Sequence, residues 1–322
     1  MESVKLLITG GAGFIGSNLV EHFINDNRIS IVRVLDDLST GSFDNIREFI
    51  KHPKFEFLQG DICDYSTCLK ATEGIDKISH QAALGSVPRS IDNPMRSTQV
   101  NILGTVNLLH AAVKNGVNRV VLACSSSTYG DSDELPKEEN RIGNPLSPYA
   151  VTKFSIEQFA AVFKRHYGLN YIGLRYFNVF GPRQSPDNPY SAVIPIFCKA
   201  FIDNRRPTIN GDGETSRDFT YVANVLQAND IALFNANENA INQIYNVACQ
   251  DRISLNQMVD VLHKITGKSI QPEYGPHRAG DVKHSEADIT KIKERLGYKP
   301  TIYFEEGLSK TYNWYEKSYQ LK

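Results

Sequence analysis

Lys5-Leu6-Leu7-Ile8-Thr9-Gly10-Gly11-Ala12-Gly13-Phe14-Ile15-Gly16 is the stretch from which the rest of the chain is read. A short apolar run ends in a turn with glycines at 10, 13 and 16, after which the pattern becomes helical. In a strand that feeds a helix through so tight a turn, a Cβ has little room wherever backbone must approach backbone or a pyrophosphate. The unpaired N–H groups and the dipole at the start of that helix favour an anion. A glycine turn by itself is weak evidence, because it also serves as a plain strand-to-helix connection. The context strengthens it: the next apolar run ends in Leu35-Asp36-Asp37, with Asp36 twenty residues beyond Gly16. A carboxylate there accepts hydrogen bonds from ribose hydroxyls and repels a 2′-phosphate, so NAD is predicted over NADP.

Working outward, residues 5–9, 30–35, 55–59, 77–81 and 119–123 read as strands, separated by helical stretches such as 16–25 and 101–114. In the second of these, Ile102, Val106, Leu109 and Val113 recur at helical spacing. Alternation of this kind predicts an α/β chain, a doubly wound Rossmann-type parallel sheet with a smaller C-terminal lobe. At 322 residues the chain exceeds what one core usually supports. The expected division is a NAD-binding part over residues 1–175, with segments near 218–250 returning to it, and a mainly substrate-binding lobe over 176–322.

With 35 basic against 36 acidic residues, no broad field attracts nucleic acid or anionic lipid, which points to a small-molecule partner. The cysteines Cys63, Cys68, Cys124, Cys198 and Cys249 form no Cys-x-x-Cys pair and no zinc spacing. A reducing cytoplasm and no structural metal are expected. The first apolar run is too short, and too soon broken by glycine, for a signal peptide, and no run reaches membrane-spanning length.

Ser147-Pro148 writes a helix start, a capping hydroxyl followed by proline at the first helical position, and the pattern runs to about His166. Tyr149 and Lys153 stand four apart on one face of it. A free phenol has a pKa near ~10, so a base at neutral pH needs a neighbouring cation, which Lys153 and a positive nicotinamide supply. Tyr149 then takes a proton from a substrate hydroxyl while the attached carbon gives a hydride to NAD. Tyr-x-x-x-Lys also occurs on many ordinary helices. What sets this one apart is its position downstream of the glycine turn and of Ser125-Ser126-Ser127-Thr128-Tyr129-Gly130, which follows a predicted strand and offers a hydroxyl to bridge substrate and phenol. His80 and His284 are given no role, and Trp314 is expected to pack on the lobe.

Together these motifs resemble, over nearly the whole chain, the extended short-chain dehydrogenase/reductases, in particular the NAD-dependent nucleotide-sugar epimerase/dehydratase family. That resemblance implies a catalytic set of Ser125, Tyr149 and Lys153. It implies cofactor contacts at Gly10, Gly13, Phe14, Ile15, Gly16, Asp36, Asp37, Asp61, Ile62, Gln81, Ala82, Ala83, Tyr149, Lys153 and Tyr176. Family dehydratases resemble Thr-Asp-Glu where this chain has Ser125-Ser126-Ser127, which argues for epimerisation over loss of water.

Residues 81–90, 146–153 and 210–219 are similar to bacterial UDP-N-acetylglucosamine 4-epimerases. The similarity implies a UDP-sugar site lined by Ser86, Ser125, Ser126, Tyr149, Asn178, Val193, Asn210, Arg217, Arg278 and Asp281. Guanidinium forks at Arg217 and Arg278 also suit a diphosphate on chemical grounds alone. At 285 a small serine leaves room for an N-acetyl group at C2, while Phe197 and Thr208 depart from the N-acetyl-specific pattern, which has tryptophan and tyrosine. The expected activity is interconversion of UDP-N-acetylglucosamine and UDP-N-acetylgalactosamine through a 4-keto sugar. UDP-glucose or UDP-glucuronate epimerisation, or NAD binding without catalysis, are the alternatives. The family also implies a homodimer formed through the helices near 101–114 and 148–166.

Overall fold

The computed structural model describes residues 3–187, 191–235, 237–276 and 283–320. Six strands, β1 (Val4–Thr9), β2 (Ile29–Asp36), β3 (Phe55–Gln59), β4 (Lys77–His80), β5 (Arg119–Ser125) and β6 (Asn170–Tyr176), join the later strand Gln243–Val247 in one sheet. Every pairing in it is parallel. The order is Gln243–Val247, β6, β5, β4, β1, β2, β3, so the winding reverses beside β1. A parallel α/β sheet opens a crevice at that reversal, beyond the carboxyl ends of its strands.

Both faces are covered, which is why the inner strands β5 and β6 are buried along nearly their whole length rather than alternating. Leu6 and Ile8 point into one core with Leu19, Val20 and Phe23, while Leu7 between them enters the opposite core with Leu108 and Leu109. Val225, Ala228 and Ala232 of the helix Val222–Phe234 pack into the same core as Leu6, so this late segment covers the early sheet. A third core gathers Phe180, Phe197, Phe201, Leu262, Phe304 and Tyr312 from helices including Val193–Ile202, Leu255–Thr266 and Phe304–Gln320.

Several element ends differ from expectation. The first helix is Phe14–Ile24, with Gly13 as its N-cap, so Gly16 lies inside the first turn instead of opening it. β5 runs on through Ser125, making that residue the last of the strand, whereas β4 stops at His80 and leaves Gln81 beyond its end. The helix expected from residue 101 is α-helical over Thr105–Lys114 and π-helical over Gln99–Gly104. The wider turn contains Asn101, whose amide pairs with both backbone groups of Leu84 at 2.8 and 3.1 Å and donates to Thr152 Oγ1 at 3.0 Å. Such bulges recur at functional sites, and here the bulge ties the loop after β4 to the helix Pro148–Tyr167.

Candidate active site

The glycine turn is built by contacts that leave no room for side chains. A Cβ on Gly10, whose φ is +67°, would lie 2.7 Å from Ala82 N, and one on Gly16 would lie 2.0 Å from Gly10 O. Asp36 closes the turn from the other side: its carboxylate accepts from Ala12 N at 2.9 Å and Leu38 N at 2.8 Å. Burial raises its pKa, and those two N–H bonds work against the rise. The crevice beside β1 holds a cavity of about 330 Å³, and every residue expected to touch the cofactor lines it, from Gly10 to Tyr176. Leu35, Ser39, Thr40, Gly41, Gly60, Leu84, Gly85, Val100, Ala123 and Cys124 line it too. The elongated glycine-floored crevice, closed at one end by Asp36 and at the other by Tyr149 and Lys153, fits a dinucleotide.

At the Tyr149 end, Ser147 caps the helix Pro148–Tyr167 through Ala150 N at 3.1 Å, and Ser90 Oγ accepts from Tyr149 N at 3.0 Å. Lys153 is buried and donates its Nζ proton to Ala123 O at 2.8 Å, 5.9 Å from the centre of the Tyr149 ring. Burial draws the Lys153 ammonium down to about 8, while Cys124 and Glu157 hold it up. The Tyr149 phenol is pushed above its ordinary value by burial; its hydrogen bond with Ser125 opposes this. An acidified phenol is therefore not a property of the protein alone, because burial costs the phenolate more than Ser125 returns. Ser125 Oγ also accepts from Ser127 N at 3.1 Å and from Ser127 Oγ at 2.9 Å.

Beyond this centre lies a second cavity of about 1040 Å³, sharing Phe14, Ala83, Cys124, Tyr149 and Tyr176 with the first and bounded by Ser86, Ser125, Ser126 and Asn178. Ser86, Asn178 and Arg183 on its wall all have positive φ, at 92°, 37° and 68°. Such strained positions cluster where function over-determines the backbone.

Residues 7–311 match the family model described as GDP-mannose 4,6 dehydratase. The chain belongs to this epimerase/dehydratase family. Among solved structures, it superimposes on the UDP-N-acetylglucosamine 4-epimerase from Methanobrevibacter ruminantium M1 in complex with UDP-N-acetylmuramic acid, with a TM-score of 0.93, 37% identity, and coverage of 99% of this chain and 100% of that one. A UDP-glucuronic acid 4-epimerase variant from Bacillus cereus, in complex with UDP-4-deoxy-4-fluoro-glucuronic acid and NAD, gives a TM-score of 0.90 at 30% identity, covering 98% and 100%. In sequence, the UDP-glucose 4-epimerase of Mycolicibacterium smegmatis is 36% identical over 319 residues, 98% of this chain and all of that one.

Not every residue nominated for the sugar site meets this epimerase/dehydratase cavity. Val193 opens the helix Val193–Ile202 and packs against the third core. Asn210 is exposed on the strand Thr208–Asn210, and the Arg217 guanidinium donates to Ser216 O at 3.0 Å and Lys283 O at 3.2 Å. Ser285 pairs through its backbone with Ser216 and Asp218, at 3.1 and 2.9 Å. None of the four lines either cavity. The reason is physical: Asn210 and Arg217 sit on the outer segment running from 208 to 218, Ser285 pairs with that segment through its backbone, and Val193 packs on the third core. Arg278 and Asp281 lie outside the described residues. Phe197 is buried in the third core and Thr208 is exposed, so neither faces the catalytic centre.

In their place the cavity is walled by Arg89, Arg183, Gln184 and, from the last helix, Trp314, Tyr315, Ser318 and Tyr319. Trp314 packs edge-on against Tyr315, and Tyr315 donates its hydroxyl proton to Gln184 O, so the lobe packing expected for Trp314 also brings it to the cavity. The signals for this wall in the sequence are the Gly-Pro-Arg run at 181–183 and the aromatic residues Tyr312, Trp314 and Tyr315. His80 is buried and satisfied on both nitrogens, by Thr9 Oγ1 at 2.7 Å and Thr105 Oγ1 at 2.9 Å, and burial draws its pKa to about 3. Among the described residues no group of three or more His, Cys, Asp or Glu is placed to hold a metal, the cysteines are unpaired, and no helix is long and apolar enough to cross a membrane.

Proposed function

We propose that the chain interconverts UDP-N-acetylglucosamine and UDP-N-acetylgalactosamine by epimerisation at C4. In its coarser class it is an NAD-dependent nucleotide-sugar 4-epimerase. What carries this reading is that Ser125, Tyr149 and Lys153 converge where a dinucleotide-shaped crevice opens into a larger cavity. Bound NAD supplies the hydride acceptor and donor. Gly10, Gly13 and Gly16 hold its diphosphate, Asp36 its adenosine ribose, and Lys153 the nicotinamide ribose.

Tyr149 accepts the proton of the 4-hydroxyl as the C4–H bond breaks, with Ser125 bridging the oxygen and the phenol. The 4-keto sugar then turns over in the cavity, and Tyr149 returns the proton as hydrogen is delivered to the opposite face. The catalytic step is neutral overall, and nothing is consumed. At the serine run no carboxylate stands where elimination of water needs an acid and a base, which favours epimerisation over the dehydratase chemistry of other family members. Ser126, Ser86 and Asn178 are assigned to the sugar, and Arg217, Arg278 and Asp281, with Asn210 and Val193, to the nucleotide.

The same reading divides the chain into a NAD-holding part, residues 1–175 with the return of 218–250, and a UDP-sugar lobe over the rest of 176–322. A homodimer is supported by the apolar side chains Leu103, Val151, Val162 and Tyr167, which stand exposed on the two helices expected to pair.

Incubation of the purified protein with UDP-N-acetylglucosamine, UDP-glucose and UDP-glucuronate separately, with the C4 epimers resolved by proton NMR, tests the substrate. Appearance of UDP-N-acetylgalactosamine is expected. Conversion of UDP-glucose alone, the activity named for the Mycolicibacterium smegmatis relative, would keep the mechanism and overturn the substrate. No conversion even with added NAD would leave a NAD-binding protein without catalysis.

A further inference from the structure

Arg96 has no part in the chemistry just described, yet it occupies a particular place relative to the crevice. It belongs to the short helix Pro94–Thr98, in the connection that follows β4. Its guanidinium reaches Asp61 Oδ2 at 3.1 Å and stands 3.8 Å from Asp37 Oδ2. Asp37 follows β2 and Asp61 follows β3, and both line the crevice. In the sheet order β4, β1, β2, β3, the strand carrying the glycine turn lies between the origin of Arg96 and the carboxylates it meets. The ion pair therefore braces, from behind, the wall of the crevice that Asp37 and Asp61 form at the adenosine end.

The remaining contacts fix the guanidinium in that position. Arg96 Nη1 donates to Gln99 Oε1 at 3.2 Å and lies 3.8 Å from Cys63 Sγ, while Asp61 Oδ1 accepts from Cys63 N at 2.8 Å. One planar cation thus joins the π-helical segment to the loop after β3. Burial would raise the pKa of Asp61, but the Cys63 bonds and Arg96 outweigh it, so the carboxylate is held below its usual range. It also offsets the mutual repulsion of Asp37 and Asp61 beside a site meant for an anionic dinucleotide.

We propose that Arg96 is a positioning residue for cofactor retention, a strap on the Asp37 and Asp61 wall of the crevice that slows release of NAD. The inference rests on the NAD assignment above. An epimerase that returns the hydride to the same sugar gains nothing from exchanging its cofactor each cycle, so a strap at the adenosine end is compatible with turnover. The sugar enters from the other end, past Ser86 and Asn178, and the strap does not obstruct it.

The test is the rate at which NAD leaves, followed by trapping released NAD with a separate dehydrogenase and measuring its absorbance, for wild type, Arg96→Ala and Arg96→Lys. Arg96 is partly exposed, so Arg96→Ala is expected to fold. NAD loss from it should be about five- to tenfold faster, a size consistent with a partly exposed charge network. Arg96→Lys, which keeps the charge without the planar fork, should fall between. Raising salt should speed loss from wild type more than from Arg96→Ala. With saturating NAD, kcat and the KM for the sugar nucleotide should stay within about twofold of wild type, which a general loss of structure would not allow. Equal release rates in wild type and Arg96→Ala would overturn the strap. If wild type itself binds no NAD, by calorimetry, the NAD assignment fails instead.

Discussion

The glycine-floored crevice and the larger cavity meet at Tyr149, but they are made in different ways. The crevice is floored by backbone at the ends of β1, β2, β3 and β4, where neighbouring strands share hydrogen bonds and Gly10 and Gly16 are forced by atoms already in place. The cavity is walled by segments far apart in sequence, the loop near Ser86, the 178–187 stretch and the last helix, held partly by positive-φ backbone. A prebuilt floor tolerates little change, whereas a wall of separate pieces can yield at one piece and keep the others.

Substitutions at the junction and on either side sharpen that contrast. At the junction, Tyr149→Phe should lower turnover about 100- to 10,000-fold while the fold and NAD affinity persist, measured by single-turnover kinetics and calorimetry. Unchanged turnover would remove Tyr149 from the chemistry. In the crevice, Gly16→Ala should cost about 1–3 kcal/mol of unfolding free energy and abolish NAD binding, because its Cβ would stand 2.0 Å from Gly10 O.

Gly13→Ala separates floor from ligand. Its Cβ meets only Gly10 O, at 3.2 Å, so denaturant unfolding should shift by less than about 1 kcal/mol. NAD affinity should still fall about tenfold or more where the diphosphate needs that space. Equal losses at Gly13 and Gly16 would show that the turn responds as one steric unit. On the cavity wall, Trp314→Ala should raise the KM for the sugar nucleotide about two- to tenfold without altering NAD binding. A loss of NAD instead would mean that the two sites share more of their structure than their common residues indicate.

The unequal legibility of the two regions follows from the same difference. Gly10, Gly13, Gly16, Asp36, Tyr149 and Lys153 could be nominated because each is required by short-range geometry: a turn, a strand end, one helix face. Asp61, Gln81 and Tyr176 came only through resemblance, and the folded chain brings them to the same crevice. Arg96 carried no signal, since a lone arginine after a proline is an ordinary surface residue until strand order sets it opposite Asp61. Trp314 and Tyr315 were visible only as an aromatic cluster, because their cavity depends on how the last helix docks on Phe180 and Phe304.

By itself the sequence determined the parallel sheet, the polarity of its strands, the glycine floor and the helix Pro148–Tyr167 with its serine cap. These are set by periodicity and by local steric and hydrogen-bonding demands within a few residues. The tertiary structure alone decided that β5 carries Ser125 to its very end, that Asn101 sits in a π-helical turn, that burial leaves Lys153 near 8 and Tyr149 above its ordinary value, and that the last helix walls the cavity. Each of these depends on which distant segments exclude water from a group or bring a partner to it, and no local stretch of sequence contains that information.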